Sequence, residues 1–143
     1  MLTKEAEREL IEGAINALQH SYSPYSGFRV GAALLGANGK IYTGVNVENA
    51  SYGAGICAER TAAVKAVSDG ETSFQAIAIA GQKPGMPDAE PAYAYPCGIC
   101  RQFLNEFSKD DMDVIIAKTA EEYVVKKLSD LLPNSFGPAD LGL

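Results

Sequence analysis

The sequence predicts an α/β fold with three layers, in which a mixed five-stranded sheet carries helices on both faces. Short apolar runs alternate along the chain with longer segments whose apolar residues recur at helical spacing. An Asn38-Gly39 hairpin signal joins two neighbouring strands, which makes part of the sheet antiparallel. The 143 residues suffice for a substantial core, so we expect a single domain over residues 1–143.

The first half of the chain predicts a helix, a loop, two strands and a second helix. Thr3 can cap the first helix, and apolar residues follow it at helical spacing. The loop is rich in Ser, Pro and Tyr, which do not continue a helix, and Asp69-Gly70 ends the second helix. The predicted bounds are a helix at 3–20, a loop at 21–27, strands at 29–35 and 40–47, and a helix at 57–67.

The second half predicts one buried strand, a long loop, a third helix and two further strands. The buried strand is an apolar run that ends at Gly81, and the loop after it holds four prolines. The third helix has one apolar face, formed by Cys100, Phe103, Leu104 and Phe107. The predicted bounds are a strand at 74–80, a loop at 82–96, a helix at 97–107, strands at 114–117 and 123–127, and a helical turn at 129–132.

Composition limits the class of protein and its partners. Hydrophobic residues make up 47% of the chain, which argues against disorder, and no apolar run is long enough to span a membrane. The net charge of −6 disfavours nucleic acid and favours a small neutral substrate. Three cysteines are an odd number, which argues against a disulfide framework. With no signal-peptide core at the start, we expect a cytoplasmic protein.

Two short motifs hold all three cysteines, and each motif opens a predicted helix. They are Cys57-Ala58-Glu59-Arg60 and Pro96-Cys97-Gly98-Ile99-Cys100-Arg101. A catalytic zinc site uses three protein ligands and leaves one tetrahedral position open, which suits Cys57, Cys97 and Cys100. The helix N-termini favour the thiolate forms. The sequence therefore predicts one zinc ion held by the three sulfurs.

Glu59 stands two residues after Cys57, where its carboxylate reaches the open metal position without binding the metal. A carboxylate there can move protons to and from water activated by the ion. Arg60 and Arg101 are expected to donate hydrogen bonds to the sulfurs and to offset their negative charge. These two arginines and Glu59 complete the predicted catalytic centre.

Other interpretations of the same residues remain open from the pattern alone. The Cys-x-x-Cys could be a redox pair, but this gives no role to Cys57. A closed structural zinc site with His20 as fourth ligand gives no role to Glu59. Glu59 could also be a simple partner of the helix dipole, and His20 a residue at a helix end.

The motifs together resemble the small homotetrameric cytidine deaminases of the zinc-dependent cytidine and deoxycytidylate deaminase superfamily. The resemblance rests on the two cysteine motifs and three further segments, and it covers nearly the whole chain. It implies zinc-dependent hydrolysis of cytidine and 2'-deoxycytidine to uridine and 2'-deoxyuridine, in pyrimidine salvage. The further segments are Tyr22-Ser23-Pro24-Tyr25-Ser26-Gly27-Phe28, Asn46-Val47-Glu48-Asn49-Ala50 and Leu131-Leu132-Pro133-Asn134-Ser135-Phe136-Gly137-Pro138.

The resemblance also implies roles for residues outside the metal motifs. Asn46 and Glu48 alternate near a strand end, so their side chains point the same way and can bind sugar hydroxyls. The family assigns them to the ribose 3'-hydroxyl, and it places Phe28 against the pyrimidine. The backbone at Ala58 is expected to bind the base carbonyl. Three more positions are expected to line the site, in part across a subunit boundary: Ala50, Tyr52 and Phe136.

The chain departs from the family pattern at residues 82–95, which are longer and richer in proline than usual, and Tyr95 replaces a small residue. The path of this loop near the zinc is therefore open. Three rival functions also remain. They are a deaminase of another small cytosine nucleoside such as blasticidin S, a polynucleotide deaminase, and a non-catalytic zinc-stabilised interaction module.

Overall fold

A mixed sheet of six strands with helices on both faces forms the part of the chain that the computed structural model describes, residues 2–85 and 90–143. The helices are α1 (Lys4–Ala17), α2 (Ala58–Ser68), α3 (Gly98–Asn105) and α4 (Leu128–Leu131). The strands are β1 (Arg29–Gly36), β2 (Ile41–Val45), β3 (Phe74–Gln82), β4 (Pro91–Ala92), β5 (Ser108–Ala117) and β6 (Tyr123–Lys127). The sheet order is β2-β1-β3-β5-β6, and β4 pairs with β3 beside this path. The β3–β5 pair is parallel and the other pairs are antiparallel.

Alternation along the central strands divides the core between the two faces of the sheet. On β3, Ile77 and Ile79 lie in one buried cluster with residues of α2 and α3. The alternate residues Ala76, Ala78 and Ala80 lie in a second cluster with residues of α1. Because successive strand side chains point to opposite faces, one strand supplies both cores. The predicted three-layer arrangement is therefore confirmed.

Glycines in β1 and β2 allow the helices to approach the sheet backbone. A Cβ atom at Gly31 would lie 2.1 Å from the Ala14 carbonyl oxygen of α1. A Cβ atom at Gly44 would lie 2.4 Å from the Ala62 amide nitrogen and 2.6 Å from the Ala58 carbonyl oxygen of α2. No real Cβ tolerates such distances, so these glycines set how closely the two helices pack. Gly44 in particular positions the start of α2.

We expect Gly44→Ala to lower the free energy of unfolding by about 1–3 kcal/mol, because the added methyl group forces α2 away from β2. Gly53→Ala is the matched control, since a Cβ there meets nothing within 4 Å. Urea unfolding of both variants measures the difference. Equal stabilities of the two variants would contradict the role given to Gly44.

Several boundaries differ from the sequence prediction for identifiable reasons. Both metal-motif helices begin one residue later than predicted, because Cys57 and Cys97 have extended backbones and act as N-caps. The first helix ends at Ala17 and continues as a 3-10 turn, Leu18–His20. Strand β5 begins at Ser108, six positions before the predicted start at residue 114. The sequence pattern did not indicate the first part of this strand, because that part is polar and irregular. There Asp110 and Asp111 have positive φ angles of 48° and 58°.

The predicted number of five strands is wrong, because a sixth strand lies in the segment predicted to be a loop. Strand β4 pairs Ala92 with Gly81 and Pro91 with Gln82. Residues 86–89 of the predicted loop lie outside the described residues. Among the described residues, no helix combines the length and the apolarity that a membrane crossing requires. The single domain over residues 1–143 stays a prediction.

Candidate active site

The three cysteines meet at the N-termini of α2 and α3. Cys57 and Cys97 are the two N-caps, and Cys100 lies in the first turn of α3. Their Sγ atoms all lie within 4.8 Å of one another, and those of Cys57 and Cys97 are 3.8 Å apart. A tetrahedral zinc site with zinc–sulfur distances of about 2.3 Å puts neighbouring sulfurs about 3.8 Å apart. The donor set and its spacing therefore fit zinc.

The cluster opens to one side, because its three members differ in burial. Cys100 is buried, Cys57 is half-buried and Cys97 is exposed, and none of the three is in a disulfide. Among the described His, Cys, Asp and Glu residues, the cluster consists of the cysteines alone. His20 is exposed at the end of its 3-10 turn and is not a member. The arrangement therefore favours an open site over a closed one with a histidine ligand.

Hydrogen bonds and the Arg60 guanidinium stabilise negative charge on the Cys57 sulfur. A hydrogen bond from Cys100, together with the Arg60 guanidinium 3.6 Å away, lowers the pKa of the Cys57 thiol to about 5. The same sulfur–sulfur bond, together with burial, raises the pKa of Cys100. Arg101 donates instead to the carbonyl oxygens of Pro96 and Leu131, at 2.7 and 2.8 Å. Arg60 thus makes the predicted sulfur contact, while the bonds of Arg101 go to the backbone.

Glu59 is a buried carboxyl group next to the sulfur cluster. Its residue is only 4% exposed, and burial raises the pKa of its carboxyl group to about 7. The nearby charge on Cys57 raises the pKa as well. A group with a pKa near neutrality can both accept and donate a proton at physiological pH. Glu59 therefore has the properties of a general acid and base.

A pocket of about 790 Å³ lies over the cluster and Glu59. Its volume is within the range of small-molecule sites, which is about 300–1,000 Å³. Cys57, Cys97 and Glu59 line it, and so do Phe28 and the start of α2 at Ala58. The amides of the first helical turn have no acceptor within the helix, so they are available to a ligand. The pocket thus combines reactive groups with an aromatic residue.

Asn46 lines the pocket with a side-chain amide whose orientation is fixed by the backbone. The Val30 N–H donates to its Oδ1 at 3.0 Å, and its Nδ2 donates to the Phe28 carbonyl oxygen at 2.9 Å. The Ser21 hydroxyl is a further donor to Oδ1. Because backbone N–H groups only donate and carbonyl oxygens only accept, oxygen and nitrogen cannot be exchanged here. The second N–H of this amide is then a donor for a ligand.

Glu48 presents the opposite hydrogen-bonding character beside Asn46. Its carboxylate accepts from the amides of Tyr25 and Ser26, at 2.9 and 3.0 Å, and from the Ser26 hydroxyl. The hydroxyl bond is the main reason that the pKa of Glu48 is lowered, so the group is ionised at neutral pH. A carboxylate has about four lone-pair sites, which leaves acceptor capacity for a ligand. Asn46 and Glu48 therefore offer one donor and one acceptor to the pocket.

The remaining predicted residues lie in two different places. Tyr52 lines the pocket, is 82% exposed, and contacts Tyr25 edge to face with ring centroids 6.1 Å apart. Ala50 is exposed and is not part of the lining. Phe136 is 60% exposed, and its backbone carbonyl accepts a hydrogen bond from Gln102 of α3. Ala50 and Phe136 are thus not brought to the pocket within the described part of this chain.

Three tyrosines are among the pocket residues to which the sequence reasoning gave no role, namely Tyr25, Tyr93 and Tyr95. Tyr25 lies in the loop that Glu48 binds, and the other two lie between β4 and α3. The alternation of tyrosines at 93 and 95 just before the metal motif was the available signal. It could not be interpreted without the path of the preceding segment.

The chain belongs to the cytidine and deoxycytidylate deaminase family, because the model of that family's zinc-binding region matches residues 4–117. A relative named probable cytidine deaminase, from Dictyostelium discoideum, is 45% identical over 98% of this chain and 90% of its own length. The cytidine deaminase of Sporosarcina psychrophila is 41% identical over 93% of each chain.

Solved structures agree with this assignment. The crystal structure of cytidine deaminase from Burkholderia pseudomallei is 42% identical, with a TM-score of 0.79, and the match covers 94% of this chain and all of that one. That of Mycobacterium tuberculosis cytidine deaminase is 36% identical with a TM-score of 0.74, over 90% of this chain and 95% of the other. The predicted family and fold are confirmed, and so is the predicted zinc cofactor.

Proposed function

We propose that this protein hydrolyses the exocyclic amine of cytidine and 2'-deoxycytidine, which yields uridine or 2'-deoxyuridine and ammonia for pyrimidine salvage. The observation that carries the proposal is the buried Glu59 carboxyl group beside three clustered thiols at the base of a pocket of nucleoside size. The names of the relatives support the same activity.

The residues of this chain divide the chemistry between binding and proton transfer. Zinc held by Cys57, Cys97 and Cys100 supplies Lewis-acid activation of water near neutral pH. Glu59 accepts the proton of the attacking water and delivers it to N3 of the base. It then takes the proton of the hydroxyl group now on C4 and delivers it to the leaving amine, so that C4 keeps a carbonyl oxygen and ammonia departs. A carboxyl group with a pKa of about 7 suits both transfers, and its burial excludes bulk water.

The hydrogen-bonding character of the pocket supports a nucleoside with a free sugar hydroxyl. Asn46 offers a donor and Glu48 an acceptor, and a hydroxyl group is the partner that satisfies both. A phosphate in this position would place negative charge against the ionised Glu48. Phe28 is then the surface on which the base packs, and the Ala58 amide binds the base carbonyl. The net charge of −6 also disfavours a polynucleotide substrate.

We propose in addition that the protein is a cytoplasmic homotetramer in which neighbouring subunits complete each pocket. Tyr52 and Phe136 are 82% and 60% exposed, so both large side chains are open to contact with a neighbouring subunit, which supports this assembly. Ala50 would reach the site in the same way. Size-exclusion chromatography with light scattering measures the subunit number, and a monomer at micromolar concentration would contradict the assembly.

The loss of ultraviolet absorbance when purified protein meets cytidine tests the activity, with a chelator added in a parallel reaction. We expect cytidine and 2'-deoxycytidine to react and 3'-deoxycytidine to show a kcat/KM about a hundred-fold lower, because Asn46 and Glu48 then lose their partner. Free cytosine and blasticidin S are the comparison substrates. Faster turnover of blasticidin S would favour the rival deaminase, and no turnover of any cytosine compound would favour the interaction module.

A further inference from the structure

Tyr93, Ala94 and Tyr95, which follow strand β4, form one wall of the pocket. Strands β3 and β4 make a hairpin that continues past the sheet pairs, since the Lys83 amide donates to the Glu90 carbonyl oxygen at 2.9 Å. The side chains of the same two residues form an ion pair at 3.5 Å. The chain leaves this hairpin at Ala92 and runs through Tyr93 and Tyr95 to the Cys97 motif. The hairpin therefore fixes the path of the residues that precede the metal ligand.

Gly81 shows how this wall meets the residue on which the base packs. A Cβ atom at Gly81 would lie 2.9 Å from the Ala94 Cβ and 3.2 Å from Cε1 of Phe28. Ala94 and the Phe28 ring therefore come together over the same point of β3. The wall formed by residues 93–95 consequently borders the edge of any base that packs on Phe28.

The two tyrosines of this wall differ in how they are held. The Lys118 ammonium lies over the Tyr93 ring, 4.8 Å from its centroid, and so ties that ring to the end of β5. Tyr95 is 48% exposed and lines the pocket directly before Pro96 and Cys97. Tyr93 thus anchors the wall, and Tyr95, two residues before Cys97, is the aromatic residue nearest in sequence to the metal cluster.

We propose that Tyr95 is a specificity-determining residue that limits the size of the substituent at C5 of the base. The inference rests on the proposed function, which puts C4 at the metal cluster and N3 at Glu59. The ring neighbours of C4 are N3 and C5, so a planar base with N3 towards α2 turns its C5 edge to the opposite wall. On one side of the metal cluster, the start of α2 supplies Cys57 and Glu59. The other side is formed by the segment from Tyr93 to Cys97, which leads into α3, so this segment is the wall that the C5 edge faces.

The test compares the kcat/KM ratio of 5-methylcytidine to cytidine in four zinc-loaded proteins. We expect Tyr95→Ala to raise this ratio at least about ten-fold, as is usual for one methyl group in a confined pocket. Tyr95→Phe keeps the ring and should leave the ratio unchanged. Tyr22→Ala is the matched control, since Tyr22 is 56% exposed but lies outside the pocket lining. Zinc content and circular dichroism establish that each variant is folded, and Tyr95→Leu replaces Tyr95→Ala if the latter is not.

An unchanged ratio in folded Tyr95→Ala, or in Tyr95→Leu where that variant replaces it, would overturn the proposal, and so would an equal rise in Tyr22→Ala. Calorimetric binding of uridine and 5-methyluridine gives a second readout that needs no turnover. We expect Tyr95→Ala to strengthen the binding of 5-methyluridine relative to uridine. If the wild-type protein does not deaminate cytidine, the proposed function fails, whereas the binding ratio still decides the role of Tyr95.

Discussion

Replacing Glu59 with Gln is expected to lower kcat for cytidine by about three orders of magnitude, within the range of general acid–base catalysis. The amide has nearly the same shape as the carboxyl group but cannot carry a proton between water and the base. Zinc should stay bound, because the three sulfurs that cluster within 4.8 Å come from other residues. The absorbance assay measures turnover, and atomic absorption measures the zinc content of the same sample.

The unfolding temperature of Glu59→Gln shows whether the loss of activity comes from lost catalysis or from damage to the fold. Glu59 is 4% exposed and burial raises its pKa, so an ionised carboxylate there destabilises the folded protein. We therefore expect Glu59→Gln to unfold at a temperature equal to or above that of the wild type. Glu12→Gln, on the exposed side of α1, is the matched control and should change neither activity nor zinc content. Wild-type turnover by the Glu59 variant, with zinc bound, would refute the proton-transfer role.

The parts of the fold that depend on local pattern were predictable from the sequence. Each of these patterns depends on residues close together in the sequence: the helical spacing, the Asn38-Gly39 turn and the apolar run before Gly81. The structure contains the corresponding helices, the β1–β2 hairpin and strand β3. Strand β4 was missed because it has two residues, one of them Pro91, and is defined only by its pairing with β3. The start of β5 was missed because Asp110 and Asp111 are polar and sit at an irregularity in the strand.

The candidate site shows the same division between local and long-range information. The two cysteine motifs could be assigned because metal ligands have fixed chemistry, even though Cys57 and Cys97 are 40 positions apart. The alternation of Asn46 and Glu48 predicts side chains that point the same way, and both residues line the pocket. Their bonds to the loop at residues 21–28 were not predictable, because those bonds depend on how β1 and β2 place that loop. Tyr93 and Tyr95 likewise reach the pocket only through the path of the β3–β4 hairpin.

Replacing Cys100 with Ala is expected to abolish tight zinc binding and to lower the melting temperature by about 10 °C. Cys100 is the buried member of the cluster, and zinc held there joins the N-terminus of α2 to that of α3. A ligand that binds only the folded state at about a hundred times its dissociation constant adds about 2.7 kcal/mol to its stability. For a chain of this size, that amounts to several degrees or more in melting temperature.

A chelator distinguishes loss of the metal from loss of core packing. Removing one buried sulfur by itself costs about 1 kcal/mol, whether or not zinc is present. We therefore expect the melting temperatures of the wild type and Cys100→Ala to differ by about 10 °C when zinc is present. After chelation they should differ by no more than about 4 °C. Calorimetric scans of both proteins, with and without chelator, measure the four melting temperatures that this comparison needs. Equal differences in the two conditions would mean that Cys100 stabilises the protein through packing alone, and the three-sulfur zinc site would then be wrong.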